Sequence, residues 1–234
     1  MSDLLTPLEF AALILSLKVS VVSVTAALPF ALMAAWVLAR LNFPGKSVFD
    51  GLIHLPLVVP PVVIGYLLLA GFGKFGPIGG PLFNWFGISI AFTWKGAAIA
   101  AGVMAFPLMV RAIRLSIEAV DAKLEQAART LGSRRIKVFT TITLPLIAPG
   151  VLTAIILGFA RALGEFGATI TFVSNIPGET QTLPLALYSL AQTPGGEEGA
   201  FRLTLISVAV AFLALIASEY FARRLKQNQQ VGYD

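Results

Sequence analysis

Gly45-Lys46-Ser47 reads at first as the end of a phosphate-binding loop, because a Gly-Lys-Ser triplet closes the loop whose backbone amides cradle nucleotide phosphates. That loop also needs a glycine five residues before Gly45, and the chain has Arg40 there. The triplet is therefore a short basic connection. Cysteine is absent and His54 is the one histidine, which removes thiolate, disulfide and histidine-cluster metal chemistry and leaves His54 as a packing or interfacial residue. What remains is a charged pair and a row of weak donors. Arg161 and Glu165 stand four apart, the spacing that puts both on one helix face. Thr169, Thr171, Ser174 and Asn175 follow, with hydroxyl and amide groups that are individually weak hydrogen-bond donors. Ionisable groups at such spacing within an apolar run pair with each other or face an aqueous cavity, so Arg161 and Glu165 read as a structural pair or as a gate whose pairing changes between states.

The elements that must position these groups belong to a membrane. The chain has 234 residues, 57% hydrophobic and only 12% charged, where a soluble domain carries about 25% charged residues. Its apolar residues gather into runs near the ~20 residues that cross a ~30 Å hydrocarbon core. The expected architecture is all-α and polytopic, a single transmembrane domain over residues 1–234 with spans at about 11–39, 51–72, 90–112, 139–165 and 201–222. A signal peptide is excluded for the first run by its length and by Asp3 and Glu9, where a basic flank would be needed. Pro56, Pro60 and Pro61 interrupt the second run. Together with Gly65 they free or expose backbone groups that, at membrane depth, must face protein or a water-filled path. The second span is therefore expected to be broken and to line a pathway. Residues 75–94, rich in Gly and Pro and carrying Trp85 and Trp94, read as a loop with an interfacial segment. A single helix over 138–171 would be about 50 Å long, so the fourth span must tilt, protrude or break, and Pro145 and Pro149 predict the break near its inner end. Pro177-Gly178, Pro184 and residues 193–198 mark turns in a large external loop.

The charges orient this array. Of 17 basic residues, twelve fall on one side: Arg40 and Lys46 in the first connection, Arg111, Arg114, Lys123, Arg129, Arg134, Arg135 and Lys137 in the third, and Arg223, Arg224 and Lys226 in the tail. The positive-inside rule then puts the N-terminus outside and the C-terminus in the cytoplasm. The net charge of +5 thus reflects topology, and no nucleic-acid partner is implied.

Residues 117–137 alone have the character of a soluble helix. Asp121 can cap a helix whose Leu124, Ala127, Ala128 and Leu131 fall at i, i+3, i+4 and i+7. Gly132 ends it where a left-handed residue is wanted, and Ser133 can cap the next segment. Such a helix either docks on another protein or lies on the membrane surface.

Gln126-Ala127-Ala128, three residues, Gly132, nine residues, and then Ile142-Thr143-Leu144-Pro145 resembles the EAA motif of importer permeases of the ATP-binding-cassette class. Gln126 stands where Glu is usual, with Glu125 just before it. FPGKS at 43–47, HLPLVVPPVVIGYLLL at 54–69, FPLMVRAIRL at 106–115 and RALGEFGATITFVSNIPGET at 161–180 are similar to the molybdate permeases of that class. Sulfate and tungstate permeases share much of the ARALGEFGA stretch. The resemblance implies a type I importer permease fold in the cell inner membrane, working as a homodimer in contact with membrane lipid. Its partners would be two ATPase subunits and an extracytoplasmic molybdate-binding protein, which the external loop would receive. It implies no cofactor in this subunit, ATP being used by the partner ATPase. Glu125, Gln126, Ala127, Ala128, Leu131 and Gly132 would couple to that ATPase. Pro60, Pro61, Arg161, Glu165, Thr169, Thr171 and Ser174 become pathway or gate candidates, with no catalytic or metal-binding residue. A self-contained secondary anion carrier or channel is the reading from another class. It would need an internal coupling-ion site, and Glu165 is the one acidic residue well inside an expected span.

Overall fold

A computed structural model describes residues 5–230; the side chains of Ala122, Arg135, Leu215 and residues 217–230, with the basic tail Arg223, Arg224 and Lys226 among them, lie outside the description, as does Asp3. In order the helices are α1 Pro7–Arg40, α2 Lys46–Val58, α3 Pro61–Phe72, α4 Gly79–Phe86, α5 Trp94–Ala119, α6 Ala122–Thr130, α7 Arg135–Val138, α8 Leu144–Leu163, α9 Gly167–Val173, α10 Leu183–Gln192 and α11 Glu197–Gln230. A π-helical turn, Phe139–Thr143, joins α7 to α8. No strand occurs among the described residues.

Three described helices are long and apolar enough to cross a membrane, Pro7–Arg40, Trp94–Ala119 and Ile136–Leu163, and the pair Lys46–Val58 and Pro61–Phe72, bent by 112°, makes a fourth if taken as one span. The break expected in the second run is therefore real, and it falls at Val59-Pro60, just where Pro61 opens α3. The stretch expected as the fifth span lies within α11. The third helix differs from its expected bounds. Residues 87–93 are not helical; the Thr93 hydroxyl accepts from the Gly96 N–H and starts α5 at Trp94, after which the helix runs on to Ala119.

α1, α5 and α8 form the centre, and small residues let them approach. Ala31, Ala34 and Ala35 of α1 and Ala97, Ala100, Ala101 and Ala105 of α5 are buried. A Cβ on Gly158 of α8 would come within 2.8 Å of Met109 Sδ, and one on Gly150 would collide with Ser116. Small residues at helix crossings are how apolar helices gain packing when lipid is as apolar as they are. Toward one end, Leu38, Met109, Ile113, Ile117 and Ile147 fill the core; toward the other, Val19, Ile64, Met104, Phe172 and Val173 do.

The expected break at Pro145 and Pro149 does not occur. Pro149 sits inside α8. The π-helical turn closes with the Leu144 N–H donating to the Phe139 carbonyl, one residue before Pro145. In a regular α-helix the Pro145 ring would strike the Thr141 carbonyl, and the wider turn makes room without ending the helix. The chain breaks instead at Gly164–Phe166, between α8 and α9.

Candidate functional site

Two helix breaks meet. α3 begins after the first and α9 after the second, and their backbones pack directly: a Cβ on Gly65 would lie 2.5 Å from the Ala168 carbonyl and 2.8 Å from Thr171 Cβ, and one on Gly167 would lie 2.7 Å from Pro61 Cβ. Only glycine fits at either place. Pro61 is thus brought against the Glu165–Thr171 segment, as is the turn of α3 that follows it, so most of the pathway candidates form one cluster.

Glu165 holds the second break. Its side chain is 2% exposed, its Oε2 lies 2.6 Å from Arg161 Nη1, and its Oε1 accepts from the Ala168 N–H at 2.7 Å. One oxygen pairs with the Arg161 guanidinium in the last turn of α8 and the other satisfies an otherwise orphaned amide at the start of α9. The spacing of four predicts the ion pair; the amide contact depends on the turn at Gly164 and has no signature in the spacing. The weak donors are less free than their types imply. Thr169 is buried, the Thr171 hydroxyl donates back to the Gly167 carbonyl, and Asn175 donates to Ser189 Oγ at 2.6 Å while accepting from Gln181 Nε2 at 3.0 Å. Ser174 alone of the four is exposed, at a φ of +65° that L-residues seldom adopt.

The second candidate region is α6. Asp121 caps it through the Lys123 N–H, and the turn after it closes at Gly132 with φ +83°. Leu124 and Leu131 are exposed, Leu131 by 86%, and Ala127 and Gln126 are exposed as well. Glu125 does the reverse of what the resemblance implies for a docking residue. It is buried, where it pairs with Arg40 at 3.1 Å and accepts from Thr143 Oγ1 at 2.9 Å. Arg40 also donates to the Val120 carbonyl at 3.2 Å. Arg40 and Glu125 between them therefore tie together the end of α1, the end of α5, α6 and the π-helical turn. Sequence reasoning assigned Arg40 only a topological role; its partners lie 80 and 85 residues away, beyond any local pattern.

Two further ionic clusters were equally invisible. Asp50 pairs with Arg114 at 3.1 Å and faces His54 Nδ1, while Arg114 also pairs with Glu118 at 2.8 Å. At the opposite end Glu9 accepts from Arg202 at 2.8 Å and closes a capping box with Thr6. Among the described residues no three His, Cys, Asp or Glu side chains gather as a metal site.

A bundle of apolar helices crossed by two packed breaks, with an amphipathic helix turned apolar side outward at one end, is an arrangement that suits a membrane transport subunit. The chain belongs to the family of binding-protein-dependent transport system inner membrane components, whose family model matches residues 27–227. It is 61% identical over 220 residues to the molybdenum transport system permease protein ModB of Escherichia coli, covering 94% of this chain and 96% of that one. It is 59% identical over 225 residues to the permease of the same description from Haemophilus influenzae, covering 96% and 98%. Its fold matches that of a bacterial ABC transporter involved in the import of the acidic polysaccharide alginate, with a TM-score of 0.75 at 16% identity over 94% of this chain and 80% of that one. The chain is accordingly a multi-pass inner-membrane subunit and is not itself an enzyme.

Proposed function

We propose that this chain is the permease subunit of an ATP-driven molybdate importer, working as a pair of identical copies with two ATPase subunits and an extracytoplasmic binding protein. The observation that carries the coupling is the orientation of α6. A surface helix normally turns its apolar stripe toward the protein or the membrane; here the charged Glu125 is turned inward and Leu124, Ala127 and Leu131 outward. That outward stripe, with Gln126 beside it and Gly132 ending it, is the surface that enters the ATPase. Motion of the ATPase pair passes through the Arg40–Glu125–Thr143 tie to α1 and α8 together, because a packed and hydrogen-bonded element moves as a body.

The five-span topology, with the N-terminus outside and the C-terminus in the cytoplasm, is part of the same proposal and is supported by the side on which the basic connections fall. The anion path runs along α2, α3 and the α8–α9 break. Pro60 and Pro61 open it, Ser174 offers a hydroxyl at its mouth, and Arg161 and Glu165 keep its wall in shape. The α10 loop receives the binding protein. Molybdate is favoured as cargo because the two relatives above, both well over half identical, carry molybdenum transport in their descriptions; sulfate is the weaker choice. The test is ATPase activity of the reconstituted complex with binding protein loaded separately with molybdate, tungstate or sulfate. Stimulation by the molybdate-loaded protein at the lowest concentration is the expected result. Failure of the folded permease to associate with any ATPase would overturn the proposal.

A further inference from the structure

An apolar cavity of about 510 Å³ runs between the inner half of α1 and the α6–π-helix segment. Leu32, Met33, Trp36, Ile136 and Phe139 line it, and Arg129 stands at its rim. The one carboxylate in its wall, Glu125, is already committed to Arg40 and Thr143. Arg129 has no partner among the described residues, and the nearby Arg134 and Lys137 are exposed and likewise unpaired there. An open apolar slot thus ends in uncompensated positive charge, with an indole close by. On α6, Glu125 and Arg129 are four residues apart and share the side facing this slot, away from the stripe of Leu124 and Leu131.

We propose that this slot is a binding site for an anionic phospholipid of the cytoplasmic leaflet, one acyl chain lying along Met33 and Phe139 and the headgroup phosphate meeting Arg129. A basic pocket between helices at the cytoplasmic face is where charge and apolar burial both favour an anionic lipid over a zwitterionic one. The depth fits: from Met33 to Arg40 the helix rises about 10 Å, so the slot lies within the inner leaflet in the orientation proposed above, on which this inference rests. The lipid would wedge α1 against the π-helical turn and so brace the hinge through which α6 reaches α8.

The test is native mass spectrometry of the intact transporter, released from detergent after incubation with phosphatidylglycerol or phosphatidylcholine of equal chain length. Phosphatidylglycerol should be retained in preference. Arg129→Gln should lower its retention about five-fold, the value of one interfacial basic residue, while Arg129→Lys restores it. Met33→Trp, at a largely exposed position whose change leaves the fold intact, should block the slot and lower retention of both lipids. Millimolar inorganic phosphate should not displace the bound lipid. Equal retention of the two lipids, displacement by phosphate, or a preference untouched by Arg129→Gln would each overturn the assignment. Lipid retention is read whether or not the ATPase is attached, so loss of this site and loss of the importer reading give different spectra.

Discussion

Neutralising Arg161 and Glu165 one at a time and then together measures how the α8–α9 break is held. Arg161→Gln leaves a carboxylate that is 2% exposed with only the Ala168 amide for company. Removing one partner of a buried pair costs about 3–5 kcal/mol, and partial hydration through the quarter-exposed Arg161 site reduces this to about 2–3 kcal/mol. Glu165→Gln is milder, about 1–2 kcal/mol. Glutamine still accepts from the Ala168 amide, and the stranded guanidinium, with 26% of its side chain exposed, reaches water. The double variant removes both charges and should be more stable than the two losses added together, with a coupling of about 1–2 kcal/mol. Equilibrium unfolding in mixed micelles of rising dodecyl sulfate content, followed by tryptophan fluorescence, provides the four free energies of the cycle. Additivity within about 0.5 kcal/mol would refute the claim that the pair holds the break. So would an Arg161→Gln variant as stable as the wild type.

Three further outcomes follow from the same geometry. Gly132→Pro should abolish transport and leave membrane insertion intact, because φ +83° is closed to proline and the Gly132 N–H donates to the Arg129 carbonyl at 2.9 Å; Gly132→Ala, with open space at its Cβ, should cost only about 1–2 kcal/mol. Both are read as ATPase activity and transport in proteoliposomes. Leu131→Asp should leave the unfolding free energy within about 0.5 kcal/mol, since the residue is almost wholly exposed, yet weaken co-purification of the ATPase. Gly65→Leu should lower thermal stability sharply and stop transport, because no rotamer avoids the Ala168 backbone; unchanged melting would show that α3 and α9 do not cross so closely.

Much of this was legible from residue types. Asp121 and Gly132 bound α6 because a cap and a left-handed turn are local demands, satisfied within a few residues. The bend in the second span was legible for the same reason, since Pro60 and Pro61 remove donors wherever they lie. The proline rule misled at Pro145 and Pro149, because a neighbouring wide turn absorbed the one and α8 continued through the other. The true break fell at Gly164–Phe166, which looks unremarkable until the Glu165 contact to Ala168 is seen. The burial of Glu125 was not legible because the periodicity that marks the apolar stripe of α6 does not say which side faces the protein. That depended on Arg40 and Thr143, which no spacing rule connects to it. The weak donors after Glu165 were identified by type, but what they bond to is decided by the loop and by α10.

The ion pairs at the two ends of the bundle also set a timetable for its making. The Arg40–Glu125 tie is complete once 85 further residues have been added, whereas Glu9 must wait for Arg202, 193 residues later, and Ser16 must wait for the Leu183 amide, 167 residues later. At about 5–20 residues per second, the Glu9 end of the first helix spends roughly 10–40 s after synthesis with a carboxylate and a hydroxyl still awaiting their partners. The Arg40 end of the newborn bundle is fastened early and the Glu9 end last, so a ribosome stalled between residues 125 and 202 leaves a chain with one end tied and the other still open to the cell's quality-control proteases.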